Sequence, residues 1–301
     1  MTTMLSAVTR GKVEAPELLI LYGPDGVGKS TFAASMPNPI FLGSEKGTSN
    51  LDVSRLPTPK DFEQCQLAVH ELTKEQHDYK TLAIDSLDWM EPLVWDKVCR
   101  DNASPSIEKV DGGFGKGYVA ALKMWQNYVA MLSELREKRK MNIILLAHSQ
   151  VKAFQDPQQN AAYDRYQLKL NDKASALFRE FADCVLFANY DVATKTDHNK
   201  KTLAFGEGAR KMYTERRPAF DAKNRFNLPF EMALSWEDYL SAKSGSETVK
   251  PETVLKQIRE LTAQLADAKL RGTIEGTLKT CESDVGKLLV VLNKVRTLLN
   301  A

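Results

Sequence analysis

The chain has 301 residues, of which 43% are hydrophobic and 27% charged, and its formal net charge is +2. This composition is typical of a soluble globular protein with room for one large and one small domain, and the near-neutral charge gives no overall polyanion-binding signature. No apolar stretch approaches the ~20 residues of a membrane span. Scattered cysteines without a C-x-x-C pair argue against a disulfide framework or zinc site. We therefore expect a cytoplasmic protein without a membrane partner.

A complete phosphate-binding loop follows the first predicted strand, 18–22. Residues 23–31 match G-x-x-x-x-G-K-[ST], and 31–36 can continue as a helix, which is the context that this motif requires. Lys29 can reach the β- and γ-phosphates, and the Ser30 hydroxyl can ligate Mg²⁺. The alternative is a glycine-rich turn that matches by chance. The predicted triphosphate-binding residues are Gly23, Pro24, Asp25, Gly26, Val27, Gly28, Lys29, Ser30 and Thr31.

Further strand-like apolar runs alternate with helical stretches along the chain. The runs are 40–42, 81–84, 143–147, 184–188 and 202–205, and the helical stretches include 62–73 and 118–138. This alternation predicts an α/β fold with a mostly parallel sheet between helices, and ligands gather at the carboxyl ends of such strands. Three stretches interrupt the pattern and are predicted to be long irregular loops: 102–117, 149–167 and 206–229.

Two carboxylates follow predicted strands. Asp85 ends the run 81–85, where a carboxylate beside a phosphate loop is expected to hold Mg²⁺. A helix cap is the alternative role for Asp85, and also for Asp88. Glu45 follows the run 40–42 and is a candidate general base that orients the attacking water; the alternative is an exposed loop glutamate beside Lys46.

Polar residues also follow the run 143–147. His148 or Gln150, with His148 preferred, could hydrogen-bond the γ-phosphate and pass its presence to the following loop. The alternative is an ordinary strand-end histidine.

A basic segment lies near the end of this region. It contains Arg210-Lys211 and Arg216-Arg217, followed by Lys223-Asn224-Arg225. Residues i and i+2 of an extended strand point to the same side, so Lys223 and Arg225 could project together into a neighbouring subunit's phosphates. A solvated basic surface is an equally weighted alternative.

The composition changes near residue 241. Residues 241–247 read as a Ser/Gly linker, and apolar residues then recur at helical spacing in three stripes, 254–265, 270–278 and 285–299. This predicts a core of residues 1–240 and a small helical domain of residues 241–301. The stripes are predicted to be its core, with partner docking as the lesser alternative.

The order of these residues resembles RecA-like P-loop ATPase cores. A Glu on the strand after the phosphate-loop helix and a Lys-x-Arg pair near the end of the core are both shared with RecA-like enzymes. More narrowly, the chain resembles phage-encoded minimal RecA-like ATPases, the phage nucleotide-binding proteins, some of which are single-strand annealing recombinases of the Sak type. The resemblance covers about residues 15–240. Its carrying segments include the phosphate loop, 115–118, 147–152, 163–170, 181–188 and 222–225.

This resemblance implies ATP with Mg²⁺ as ligand, single-stranded DNA as partner, a homo-oligomeric ring or filament, and a location in the host cytoplasm. In RecA-like proteins the loops after the Mg²⁺ strand and the sensor strand line the DNA channel. The corresponding DNA contacts here are Phe114, Lys116, Lys152, Phe154, Arg165 and Lys169.

The leading hypothesis is a DNA-stimulated ATPase that acts in phage recombination or annealing and hydrolyses ATP at subunit interfaces. One alternative is a replication motor or helicase loader, whose helical tail would dock a replication partner or a single-strand-binding protein. Another is an ATP-switched module that coats DNA with negligible turnover. A small-molecule kinase is a fourth, less favoured hypothesis.

Overall fold

The computed structural model describes residues 8, 10–11, 14–43, 47–158, 161–191, 193–196, 202–205, 208–244, 251–263, 265, 268–281, 287–288, 290–292 and 294–295. The chain divides into two compact units, Met1–Tyr239 and Leu240–Ala301. In the part of the chain so described, no helix is both long and apolar enough to cross a membrane.

The first unit is built around one large sheet. Its strands run in the order β11-β10-β7-β1-β5-β4-β2-β3, and β6 pairs with β5, whereas β8 and β9 form a separate two-stranded sheet. The strands are β1 Leu18–Gly23, β2 Pro39–Gly43, β3 Ser54–Arg55, β4 Thr81–Asp85, β5 Asn142–Phe154, β6 Tyr163–Leu168, β7 Cys184–Tyr190, β8 Ala193–Thr196, β9 Thr202–Phe205, β10 Arg210–Tyr213 and β11 Glu231–Ala233.

Helices follow most of the central strands. They are α1 Lys29–Ala34, α2 Phe62–Lys74, α3 Leu87–Asp101, α4 Lys116–Arg139, α5 Asp172–Phe181, α6 Trp236–Ser244, α7 Pro251–Thr262 and α8 Ala268–Cys281, with a 3-10 helix over Ile107–Gly112. Strands β7, β1, β5, β4, β2 and β3 pair in parallel. Among the described residues, only β6, β10 and β11 join this sheet antiparallel. The predicted α/β class with a mostly parallel sheet is confirmed.

The central strand β1 shows why the sheet is covered on both faces. All six of its residues are buried. Leu18, Ile20 and Tyr22 belong to a large apolar cluster that includes Trp125 of α4, whereas the alternate residues point to the opposite face. A strand buried on both sides reads as a continuous apolar run, which is why this strand was visible in the sequence.

The polar stretch 149–167 is not the irregular loop that the sequence predicted. Strand β5 continues past the main sheet to Phe154, and residues 149–154 pair antiparallel with β6. The stretch alternates between partly buried and exposed side chains, with Val151 53% exposed. Residues 149–154 are half exposed, so they lack the continuous apolar run that identifies a buried strand. In such a polar stretch, the alternation of buried and exposed residues is too weak to predict a strand.

The other two predicted loops contain short regular elements as well. Residues 102–117 include the 3-10 helix and the start of α4, and 206–229 include β10. The run 202–205 does form a strand, β9, but it pairs with β8 rather than with the main sheet.

In the second unit, the apolar stripes pack against one another. Ile258 of α7 and Leu278 of α8 are fully buried, together with Leu288 and Val295. This is the core role predicted for the stripes. The described parts of the third stripe are 287–288, 290–292 and 294–295.

A buried carboxylate ties α3 to the start of α5. The two oxygens of Glu91 accept hydrogen bonds from the Asn171 backbone N–H at 3.0 and 3.1 Å. Burial raises the pKa of Glu91 to about 7; the hydrogen bond from Asn171 opposes this rise and the charge of Asp88 adds to it. The folded protein therefore retains a proton on Glu91 at a pH where the unfolded chain has released it.

This shift predicts a pH dependence of stability. The contribution of Glu91 is fully present below its unfolded pKa of ~4.3 and is lost as the pH rises through about 7. Glu91→Gln keeps the acceptor oxygen and removes the titration, so the variant should gain stability relative to the wild type between pH 5 and pH 8. Urea unfolding at the two pH values measures this gain. The exposed Glu71→Gln serves as control, and an identical pH dependence in wild type and Glu91→Gln would contradict the assignment.

Candidate nucleotide-binding site

The phosphate loop connects β1 to α1 in the predicted way. Gly26 and Gly28 have φ angles of 72° and 106°, a left-handed conformation that favours glycine. Gly28 is the N-cap of α1, and its carbonyl accepts the first helical bond, from Phe32, at 3.0 Å. The loop therefore turns its backbone at the helix N-terminus, where N–H groups favour anions.

Lys29 is held beneath the loop. Its side chain is buried, and Nζ donates to the carbonyls of Gly23 at 3.1 Å and Pro24 at 2.9 Å. Burial lowers the pKa of Lys29, and the carboxylates of Asp85, Asp25 and Asp88 oppose that shift. Two backbone carbonyls thus position the ammonium at the loop, and the nearby carboxylates stabilise its positive charge.

Ser30 and Asp85 meet directly although they are far apart in sequence. The Ser30 hydroxyl donates to a carboxylate oxygen of Asp85 at 2.6 Å. Asp85 ends β4, which is separated from β1 only by β5, and Gly43 at the end of β2 pairs with it. A hydroxyl and a carboxylate supply the oxygen ligands that Mg²⁺ prefers. The donor set therefore fits the predicted metal.

His148 lies beside the loop at the end of the main-sheet part of β5, in register with Gly23. Its Nδ1 is 2.7 Å from one carboxylate oxygen of Asp88, and its backbone N–H donates to the other at 2.9 Å. Its Nε2 is 3.1 Å from Asp25 of the loop. The imidazole is therefore fixed between α3 and the phosphate loop.

Asp88 is the residue that orients His148. Burial alone would raise the pKa of Asp88, but the hydrogen bonds from His148 outweigh it, so the pKa lies below its usual range. The ionised carboxylate accepts the Nδ1 proton, which leaves Nε2 facing the loop. The sequence suggested only a helix cap for Asp88, because its partner is 60 positions away. Gln150 instead donates to the Leu168 carbonyl at 2.9 Å and supports the β5–β6 hairpin.

Two side chains approach the loop from the side of β1 opposite to β5 and β4. A Cβ built on Gly28 would lie 2.9 Å from an Nη atom of Arg210, and one built on Gly26 would lie 3.6 Å from the Tyr190 hydroxyl. Arg210 and Tyr190 pair across β10 and β7. The sequence placed neither residue at this site, although it did mark Arg210 as part of a basic segment, since no local pattern shows that β10 returns beside the phosphate loop.

Lys223 does not occupy the position predicted for a finger that reaches a neighbouring subunit. Its ammonium donates to the carbonyls of Arg179, Glu180 and Ala182 at 2.9, 3.1 and 2.6 Å. These bonds use all three N–H donors of a lysine. Burial lowers the pKa of Lys223, and the charge of Arg225 adds to this shift. The prediction for Lys223 is corrected: the side chain secures the C-terminal end of α5.

Arg225 has a different environment. Its guanidinium contacts the carboxylate of Asp183 at 3.1 Å, and its side chain is 55% exposed. It is therefore accessible to a second copy of the chain, as a group acting in trans must be.

Arg165 is the predicted DNA contact that the structure contradicts. It is 2% exposed, and its Nη2 donates to a carboxylate oxygen of Asp221 at 2.8 Å and to the carbonyl of Phe220 at 3.3 Å. A side chain this deeply buried supports the fold and is not the exposed cation that was predicted to contact DNA.

Most of the remaining predicted DNA contacts are accessible. Phe114 is fully exposed, with a φ of 53° between two glycines. Lys116 donates to the Asp111 carbonyl at 2.9 Å, Lys152 pairs with Asp172 at 2.7 Å, and Lys169 is exposed. The ring of Phe154 is covered by the guanidinium of Arg165, 4.7 Å from its centroid. No hydrogen bond or ion pair among the described residues joins Lys152 to Phe114 or Lys116.

The predicted general base, Glu45, lies outside the described residues. The described part of the preceding strand ends at Gly43, directly opposite Asp85.

Comparison with known proteins gives two findings. Residues 15–226 match the AAA_24 family, described as an AAA domain. Among solved structures, a crystal structure of the RadB recombinase is similar over 70% of this chain and 91% of that one, with 14% sequence identity and a TM-score of 0.37. A search of curated proteins found no significant match.

The position of Lys223 predicts a stability effect rather than a catalytic one. Lys223→Met should lower the free energy of unfolding by about 1–3 kcal/mol, because three carbonyls at the end of α5 lose a charged donor. Urea unfolding measures the change against Lys169→Met, an exposed lysine. Equal stability of the two variants would contradict the structural role.

Proposed function

Since the chain belongs to the AAA_24 family of AAA domains, we propose that it is an ATPase that acts on single-stranded DNA in recombination or annealing. The observation that carries this proposal is the hydrogen bond between Ser30 and Asp85 beside the buried Lys29. This hydrogen bond joins the phosphate loop, which follows β1, to the carboxylate at the end of β4. A phosphate loop with a neighbouring carboxylate is the least that a protein needs to bind a triphosphate together with its metal.

The loop residues have separate roles in phosphate binding. The backbone N–H groups around Gly26 and Gly28 approach phosphate oxygens, and the ammonium of Lys29 exchanges the carbonyls of Gly23 and Pro24 for phosphate oxygens. Ser30 and Asp85 would hold Mg²⁺, which neutralises charge on the β- and γ-phosphates when it is bound.

The two sides of the phosphate loop differ in charge, and this difference is proposed to set the direction in which the nucleotide lies. Asp85, Asp88 and His148 lie on the side of β4 and β5, so the γ-phosphate belongs there with the metal. Arg210 and Tyr190 lie on the opposite side, beside Gly28 and Gly26. We assign to them the remainder of the nucleotide, with the guanidinium of Arg210 donating to phosphate oxygens.

His148 is proposed as the sensor of the γ-phosphate. Asp88 fixes the ring so that Nε2 faces the loop, and β5 runs from His148 directly into the hairpin with β6. A change in the contacts of the ring is therefore transmitted to the hairpin through one continuous strand. Glu45 is proposed to orient the attacking water and to accept its proton as the bond to the γ-phosphorus forms. In the same step the bond from that phosphorus to the β–γ bridging oxygen breaks, and ADP leaves with its negative charge on the β-phosphate.

The polymer is proposed to be single-stranded DNA, and the assembly a ring or filament of this chain. The exposed ring of Phe114 offers a stacking surface for a base, and Lys116 and Lys152 offer cations for the backbone. The resemblance to phage annealing recombinases supports this choice of polymer and a phage origin. In the assembly, Arg225 of one subunit would stabilise the transition state in its neighbour. The C-terminal unit is proposed to dock a replication partner.

A mixing experiment tests the role of Arg225. Arg225→Ala should bind ATP about as the wild type does, whereas its turnover should fall by about 10³-fold, because only the transition-state charge is affected. Lys29→Ala should lose both binding and turnover. Each variant lacks a different half of the composite site.

Mixed in equal amounts, the two inactive variants form interfaces that combine an intact phosphate loop with an intact Arg225. Phosphate release should then recover to a measurable fraction of the wild-type rate. Mixing Lys29→Ala with an Asp85→Asn variant, which damages the same half of the site, is the matched control. A mixture as inactive as that control would exclude action of Arg225 in trans.

A further inference from the structure

A charged recess lies away from the phosphate loop, between the β5–β6 hairpin, α5 and the segment before Asp221. Its volume is about 330 Å³, and the residues that matter for its chemistry are Phe154, Arg165, Arg179, Arg216, Asp172 and Asp221. The proposed ATPase chemistry does not use this cluster.

Three guanidinium groups converge on one carboxylate in the recess. Arg165 donates to one oxygen of Asp221 at 2.8 Å, Nε of Arg216 lies 3.7 Å from the same oxygen, and Arg179 binds the other oxygen. The second acid of the recess, Asp172, is already paired with Lys152. The cations therefore outnumber the carboxylates that are available to them, and the recess carries an excess of positive charge.

Two arginines of the recess also retain Nε donors that are not used. The Nε atoms of Arg165 and Arg179 are buried and have no hydrogen-bond partner among the described residues, and Arg165 is only 2% exposed. A buried donor without an acceptor is destabilising, and more so when the group is charged. Such donors favour an anionic ligand with several oxygens, and the planar guanidinium fork matches the geometry of a phosphate.

We propose that this recess binds a backbone phosphate of a single-stranded polynucleotide, an inference that rests on the proposed function. Two features favour a polymer over a free phosphate ion. Arg216 also lines an adjoining recess of about 420 Å³ together with the exposed Arg225, so accessible guanidinium groups continue beyond one phosphate. Phe154 lies at the same site with Arg165 and Arg216 at 4.7 and 6.0 Å from its ring centroid, which places an aromatic ring beside the cations.

The recess is joined to the nucleotide site by two strands. Phe154 ends β5, the strand that carries His148. The hydroxyl of Tyr22, immediately before the phosphate loop, donates to the carbonyl of Asp221 at 2.6 Å. The polynucleotide contact and the triphosphate contact are thus attached to the same pair of neighbouring strands.

The test compares DNA binding by variants that remove the accessible cations. Arg179→Ala with Arg216→Ala should weaken binding of a labelled single-stranded oligothymidylate by about 10- to 100-fold, and should lower the salt slope by about 1–2, because two phosphate contacts are lost. Fluorescence anisotropy over a range of salt concentrations measures both quantities. Arg100→Ala is the matched control, since Arg100 is a half-exposed arginine on α3 that pairs with Glu63.

The single variant Arg216→Ala controls for the possibility that the double variant loses DNA binding because it fails to fold. Its side chain is 61% exposed and approaches Asp221 at 3.7 Å, too far for a hydrogen bond, so Arg216→Ala removes a charge without leaving a buried acceptor unpaired. It should lower the salt slope by about 1 while ATP binding stays unchanged. If the wild-type protein binds the oligonucleotide and both Arg216→Ala and the double variant bind it with the same affinity and salt slope as the wild type, this inference is wrong. The proposed function would not be affected by that result.

Two further arms identify the source of the phosphate. If ATP or inorganic phosphate bound to Lys29→Ala protein and this binding required Arg179 and Arg216, the recess would be a small-anion site and the polynucleotide assignment would be wrong. If the wild-type protein hydrolysed ATP but did not bind the oligonucleotide, the DNA part of the proposed function would fail together with this inference.

Discussion

The hydrogen bond between Ser30 and Asp85 is the contact on which the account of this protein depends. It is possible only because β1, β5 and β4 are adjacent parallel strands whose carboxyl ends meet at one edge of the sheet. The same alignment places His148 in register with Gly23 and Gly43 in register with Asp85. The buried apolar strands thus serve mainly to bring a loop, a carboxylate and an imidazole into one place.

Much of this site could be predicted from the sequence because its signals are local. The phosphate loop is contiguous, and Asp85 directly follows an apolar strand, so both were assigned without knowledge of the fold. Asp88 and Arg210 could not be assigned in the same way. Their partners, His148 and Gly28, are distant in sequence, and only the order of the strands brings them together. A functional pair of this kind leaves no local pattern.

The two corrected residues show a related limit. Arg165 and Lys223 are cations in polar, basic stretches, where an exposed side chain is the usual expectation. Both instead donate hydrogen bonds to acceptors that the sequence does not reveal. Arg165 donates to the carboxylate of Asp221, and Lys223 donates to backbone carbonyls at the end of α5. Charge counts along a chain cannot separate a cation that binds a ligand from one that satisfies buried oxygens. Arg179, Arg216 and Arg225, by contrast, are among the cations whose side chains stay accessible to a ligand.

The most direct test of the central claim is the Mg²⁺ dependence of ATP binding, measured by titration calorimetry on the wild type and Asp85→Asn. Asp85→Asn keeps the shape of the residue and removes its charge, so it should still bind ATP without Mg²⁺ but should lose most of the affinity gained when Mg²⁺ is added. Asp101→Asn, on the exposed end of α3, is the control. The same gain from Mg²⁺ in Asp85→Asn as in the wild type would contradict the assignment of Ser30 and Asp85 as the metal-binding pair.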